Sequence, residues 1–215
     1  MKDLSSLSYY VIVCLFFSFC FTSCKKEKIT ANPKTLALKL EAISKEDIKY
    51  RQHHGEMKER HGLNSPEVKS LMANQSKIDS ANLKTVIDII KELGAYPGKS
   101  LVGIEASKTA FYVLQHAPLE IRTNYLDMIL EAAESNELSP RNAATFHDQC
   151  LADQGKPQLY GTYIKTGNYT NPTTGYVYDT TYLWKIQDTL NIDSVRKSKG
   201  LIPLEKYLNG YGISR

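Results

Sequence analysis

Apolar positions recur at helical spacing through most of this chain. Leu36, Leu40, Ile43, Asp47, Ile48 and Tyr50 lie along one side of a helix predicted over about residues 34–54, with charged residues on its outer face. Gly55 and then Gly62-Leu63-Asn64 loosen and end this first region. Ser65-Pro66-Glu67 predicts a fresh start, because a serine oxygen can accept from the free first-turn amides and proline has no N–H to leave unpaired there. It opens either two helices, over about 66–77 and 80–93 with Asp79 or Ser80 as the second cap, or one long bent helix. Leu83, Val86, Ile87, Ile90 and Leu93 form the inner face, and Gly94 is the stop.

The turn-rich stretch 94–100 leads to a helix over about 104–115 that is apolar nearly all round. Only Glu105, Ser107, Lys108 and Thr109 are left to meet water, which predicts a central place in the fold. Pro118 opens a helix with Ile121, Tyr125, Met128, Ile129 and Ala132 inward, and Ser139-Pro140 begins another that reaches about residue 152. After Gly155-Lys156-Pro157 the pattern changes. Residues 158–164 and 176–186 are rich in Tyr, Thr, Val and Trp around a Gly/Asn/Pro loop, the signature of a β-hairpin. Short helices are predicted over about 193–199 and 203–208. The expected fold is mainly α, a helical domain with a small C-terminal antiparallel β-hairpin, in one globular unit over residues 36–215.

The N-terminus follows a different rule. The apolar run from Tyr9 to Phe21 is about 13 residues, shorter than the roughly 20 needed to cross a bilayer as a helix, and it matches the middle of a secretion signal. Phe21-Thr22-Ser23-Cys24 resembles a bacterial lipobox, departing from it only at Phe21, where leucine is usual. The expectation is a signal over residues 1–23, lipid (palmitate among the acyl chains) on Cys24, and a tether over 24–35. The expected location is export with anchoring to a bacterial membrane, the outer one being favoured because no aspartate follows Cys24. Lys25, Lys26 and Lys28 then sit where anionic head groups attract cations, or simply solvate the linker. Cys14 and Cys20 leave with the signal and Cys24 is capped, so Cys150 remains alone and the domain must rely on its core. A formal charge of +4 is too modest to imply a nucleic-acid partner.

Composition and motifs exclude more chemistry than they suggest. His53 and His54 are adjacent rather than three or four apart, and His61 is placed only loosely, so no metal site is expected. Phosphate loops, dinucleotide glycine patterns and a Gly-x-Ser-x-Gly elbow are missing from the sequence, and no cofactor is expected. What stands out is a set of polar residues in apolar surroundings, since a buried polar group must find a partner. Gln115-His116 ends the most hydrophobic helix, His147-Asp148 lies between Phe146 and Leu151, Asp79 and Asn82 precede the apolar face of their helix, and Gln158, Tyr160 and Thr162 share one side of the first predicted strand. His116, Asp148 and Tyr160 are the candidate catalytic set, with His116 as general base. Asp79, Asn82, Gln115, Gln158 and Arg196 are the candidate ligand contacts. A histidine at a helix C-terminus is equally a favourable structural choice, and Cys150 reads as core. Three functions compete: an envelope binding or interaction module for a small polar ligand or another envelope protein, a hydrolase built on His116, and a purely structural lipoprotein role.

The order of these motifs resembles the bacterial family DUF6624, a domain of unknown function. The likeness rests on Asp79-x-x-Asn82, the stretch Tyr96-Pro97-Gly98-Lys99-Ser100-Leu101-Val102-Gly103, Gln115-His116-Ala117, Asp148, Gln158-x-Tyr160-Gly161-Thr162, Arg196 and Gly200-Leu201. It spans about residues 79–207. Tyr96 stands where tryptophan is common in the family, and Gln149 where arginine is usual. The resemblance implies no activity, but its polar positions coincide with those singled out above and imply that Asn82, His116, Asp148, Tyr160 and Arg196 converge in one pocket.

Overall fold

The computed structural model describes residues 32–170, 173–175 and 177–213. The signal, Cys24 and most of the tether lie outside them, as does Tyr176. Among the described residues no helix is long and apolar enough to cross a membrane.

Helix α1 (Pro33–Ile48) begins where Asn32 Oδ1 accepts from the Lys34 amide at 3.0 Å, with proline in the first turn. Its buried stripe is Leu36, Leu40, Ile43 and Asp47, a helical spacing in which the fourth place is taken by a carboxylate. The helix ends earlier than the predicted residue 54. A 3-10 turn, Arg51–His53, separates it from α2 (His54–His61), a short helix in the stretch expected to be loose. Gly55 is tolerated because it stands in the first turn of α2, and an Arg60–Glu56 ion pair of 2.6 Å ties the exposed side.

Of the two alternatives for the next region, the single helix forms. It is α3 (Pro66–Leu93), 28 residues long. Ser65 Oγ accepts from the Val68 amide at 3.2 Å, and Gly94, at φ +67°, closes the other end by donating to the Ile90 carbonyl. Ser80 caps nothing; its hydroxyl donates back to the Ser76 carbonyl, so the ladder runs on unbroken.

A one-turn helix α4 (Lys99–Val102) precedes α5 (Ile104–Gln115), which packs against α1, α3, α4 and the following α6 (Leu119–Glu134). The central placement of α5 is as predicted, but its water-facing residues are not. Ser107 and Thr109 are buried while Ile104 and Tyr112 are exposed, because neighbours on several sides decide burial more than side-chain polarity does. Helix α7 (Pro140–Asp153) packs on α6 and places Phe146 against Phe111 of α5, ring centroids 6.2 Å apart.

The hairpin pairs β1 (Ile164–Thr170) with β2 (Val177–Leu183), antiparallel from Ile164 opposite Leu183 to Thr170 opposite Val177. The first strand therefore starts six residues later than predicted. Residues 158–163 form a loop instead, joined to the segment after β2 by a parallel bridge between Gln158 and Ile186 and by the Trp184 amide donating to the Tyr163 carbonyl. Helices α8 (Ile192–Ser198) and α9 (Leu204–Asn209) follow, and Ile192, Leu204 and Leu208 make a second small core with Ile164, Leu183, Ile186 and Tyr207. The molecule is thus mainly α with a small C-terminal hairpin.

Candidate functional site

The polar residues singled out in the sequence fall into two separate groups, and the two differ in kind.

The first group is built around Asp148, which is fully buried on α7. Its Oδ1 accepts from the amides of Leu159 and Tyr160 at 2.7 and 3.0 Å, and its Oδ2 accepts from the Thr162 amide and hydroxyl at 2.9 and 2.8 Å. A carboxylate so fully occupied holds a loop; it has no capacity left to orient a histidine. Gln158 completes the loop, its side chain donating to the carbonyls of Tyr163 and Trp184 and accepting from the Tyr163 amide. Arg196, also fully buried, donates from Nη1 to the carbonyls of Tyr160 and Gly161 at 2.7 and 3.0 Å and from Nε to Ile202 at 2.7 Å. Its guanidinium lies 4.8 Å from the Tyr207 ring centre, and the Tyr207 hydroxyl donates to the Thr162 carbonyl. Gly161 adopts φ +66°, and an added Cβ would sit 3.0 Å from both Ile186 and Leu204. The Gln-x-Tyr-Gly-Thr stretch is therefore a loop locked between α7, α8 and α9.

The second group lies where α1, α3 and α5 meet. Asp47, 4% exposed at the end of α1, has its Oδ2 3.7 Å from Arg51 Nε and 4.0 Å from His116 Nε2, while its Oδ1 meets no hydrogen-bond donor. Arg51 turns instead to Asp79 on α3, at 2.6 Å. Gln75, one helical turn before Asp79, donates to its Oδ1 at 2.7 Å and to the Asp47 carbonyl at 2.9 Å, and accepts from the amides of Tyr50 and Arg51. Asn82, one turn further, reaches the Ile43 carbonyl at 3.5 Å. The i, i+4 and i+7 positions of one helix thus receive the end of another.

His116 is the C-terminal cap of α5, and its side chain is 35% exposed. It opens onto a cleft of about 660 Å³ that Asp47, Ser76, Asp79, Leu83, Ile87 and Val113 also line. Burial lowers its pKa below the ordinary histidine value, and Arg51 adds to this, against the opposing pull of Asp47 and Asp79. Burial raises the pKa of Asp47, while His116 and Arg51 pull it back down. At neutral pH the imidazole is therefore the free base. Cys150 is buried in the core, where desolvation raises its pKa, which suits a packed thiol rather than a nucleophile.

The structure brings Asp79, Asn82 and His116 together, and separately Asp148, Gln158, Tyr160 and Arg196. Among the described residues no hydrogen bond or ion pair joins His116 to Asp148 or Tyr160; the Tyr160 ring instead meets His147, centroids 6.3 Å apart, and Lys199, 5.9 Å away. Gln115 joins neither group by its side chain; its carbonyl accepts from Gln149 on α7 at 3.3 Å. The carboxylate beside His116 is Asp47, which sequence reading used only as a helix marker. Arg51 and Gln75 were missed as well. The available signal was an aspartate four residues after Ile43 on an otherwise apolar stripe.

No curated protein and no solved structure matches the chain. A family model does, over residues 35–213, a span that reaches upstream of the likeness seen in the motifs and takes in α1 with Asp47. The chain belongs to the family of unknown function DUF6624.

Proposed function

We propose that the protein is a lipid-anchored binding module of the bacterial cell envelope, held to the membrane through Cys24, which takes a small polar ligand in the cleft between α1, α3 and the end of α5. One observation carries this reading: a carboxylate that is 4% exposed, with one oxygen lacking a donor, lines an open cleft beside a reachable imidazole. Such an arrangement is costly if it serves folding alone, because an unsatisfied buried carboxylate oxygen forfeits about 1–3 kcal/mol or more. A cleft of about 660 Å³ is within the range that small ligands fill. The other polar group is buried, its carboxylate Asp148 is fully occupied, and the atom left without a partner there, Arg196 Nη2, is sealed from solvent, so the group offers a ligand no reachable acceptor. The test is a thermal-shift screen of small polar compounds. A true ligand at 100 times its Kd stabilises the fold by about 2.7 kcal/mol, and that gain should vanish in Asp47→Asn. Hits retained in Asp47→Asn would place binding elsewhere.

A hydrolase is the second reading, favoured by the lowered pKa of His116 and its proximity to Asp47. Asp47 then takes the orienting role first given to Asp148. Their separation of 4.0 Å is longer than a hydrogen bond, so substrate binding has to draw them together. Hydrolysis of p-nitrophenyl acetate above the rate of free imidazole, lost in both His116→Gln and Asp47→Asn, would support it. Equal rates in all three proteins would remove it.

A further inference from the structure

We propose that the group this cleft receives against Asp47 is a primary ammonium carried on an apolar stem, an inference that rests on the cleft being the binding site. Asp47 Oδ1 has no donor within hydrogen-bond distance, Asp47 Oδ2 has long contacts to Arg51 and His116, at 3.7 and 4.0 Å, and the Asn82 side chain is the one neutral donor near the carboxylate among the described residues. The missing partner is therefore an N–H or O–H donor. A cationic donor is favoured over a neutral one by the charge the cleft presents. Arg51 lines a different hollow, with Tyr50, His54, Leu71, Met72 and Gln75, and its short ion pair is to Asp79. The inner end of the cleft thus shows the carboxylates of Asp47 and Asp79, two negative groups that share the single guanidinium of Arg51, which is not among the lining residues.

At the rim, Lys84 and Lys91 flank Asp88, Lys84 pairing with it at 2.8 Å, so the rim cations face a carboxylate of their own. The free-base nitrogen of His116 supplies a second acceptor for an ammonium, which has three donors to place. Beyond this polar end the wall is apolar, formed by Leu83, Ile87, Val113 and Pro118, and it suits a short methylene chain. A carboxylate ligand would meet Asp47 and Asp79 head on, and a wholly apolar one would leave Asp47 Oδ1 unpaired.

The experiment titrates n-butylammonium, butyrate and 1-butanol into the full chain in detergent at pH 7.5, following the His116 ring resonance by NMR, assigned from its loss in His116→Gln. The expected result is that n-butylammonium shifts the resonance at least about tenfold more tightly than the other two, a difference of about 1.4 kcal/mol. Asp47→Asn should weaken it by about the same factor. Ser80→Trp, which fills the exposed rim without touching the core, should also abolish the shift and serves if Asp47→Asn does not fold. If butyrate or butanol moves the resonance and n-butylammonium does not, the ammonium inference is overturned while the cleft reading stands. If n-butylammonium binds Asp47→Asn as tightly as wild type, the inference is likewise overturned. If none of the three probes moves His116, the inference and the cleft reading fall together.

Discussion

Two aspartates carry opposite meanings in this molecule. Asp148 accepts from three backbone amides and a hydroxyl, and nothing else in the loop can replace it. Asp148→Asn puts an NH2 group against donors, and Arg196→Met strands three carbonyls. Each is expected to lower the unfolding free energy by about 3 kcal/mol or more in urea titration, and a loss under about 1 kcal/mol would show that the loop is held some other way. His116 has a different signature. Because its folded pKa lies below the unfolded value of 6.5, the folded state binds fewer protons between the two, so stability is fully present above about pH 6.5 and is lost as pH falls through the folded pKa. His147 shifts the same way, by burial. Stability measured from pH 7.5 to 5 should therefore fall in wild type and fall less steeply in His116→Gln. An unchanged slope would mean His116 does not titrate differently in the fold. Which carboxylate faces which histidine was beyond the sequence, because His147-Asp148 are neighbours in the chain whereas Asp47 and His116 meet only after α1 packs on α5.

At the level of elements, the helices were legible because their caps and stripes are local. Ser65-Pro66 and Gly94 mark the ends of α3 by chemistry that needs no tertiary contact. The loop at 158–163 was misread as strand because Tyr and Thr favour strands, while the carboxylate that overrides this preference comes from α7. The same contrast governs the join between α1 and α3. Gln75 holds it with three hydrogen bonds, to the Asp47 carbonyl and from the Tyr50 and Arg51 amides, none of which a residue-by-residue reading could place. Gln75→Met keeps the size and leaves buried backbone groups unpaired, so it should cost about 2 kcal/mol and speed hydrogen exchange at Tyr50 and Arg51. Unaltered exchange there would show that α1 is anchored by its apolar stripe alone.

For the whole molecule, the proposed function adds a lipid tether to a fold with an open polar cleft between α1, α3 and the end of α5. Anchoring is expected to depend on Cys24 alone: an alkyne-palmitate label should attach to the wild-type chain in bacterial cells and be absent from Cys24→Ser. Labelling of both would assign the lipid to another residue. The fold class was within reach of periodicity, and the list of polar residues was too. Their partition into a sealed lock and an open site was not, since it depends on which lone pairs remain unused. That partition is the central claim, and unfolding in urea at pH 7 of Asp47→Asn beside Asp148→Asn tests it most directly. Asp47 has a raised pKa, so its ionised form burdens the folded state at neutral pH, and Asp47→Asn should leave stability unchanged or increase it while Asp148→Asn loses about 3 kcal/mol. A large loss in Asp47→Asn with little in Asp148→Asn would reverse the two roles and contradict the account.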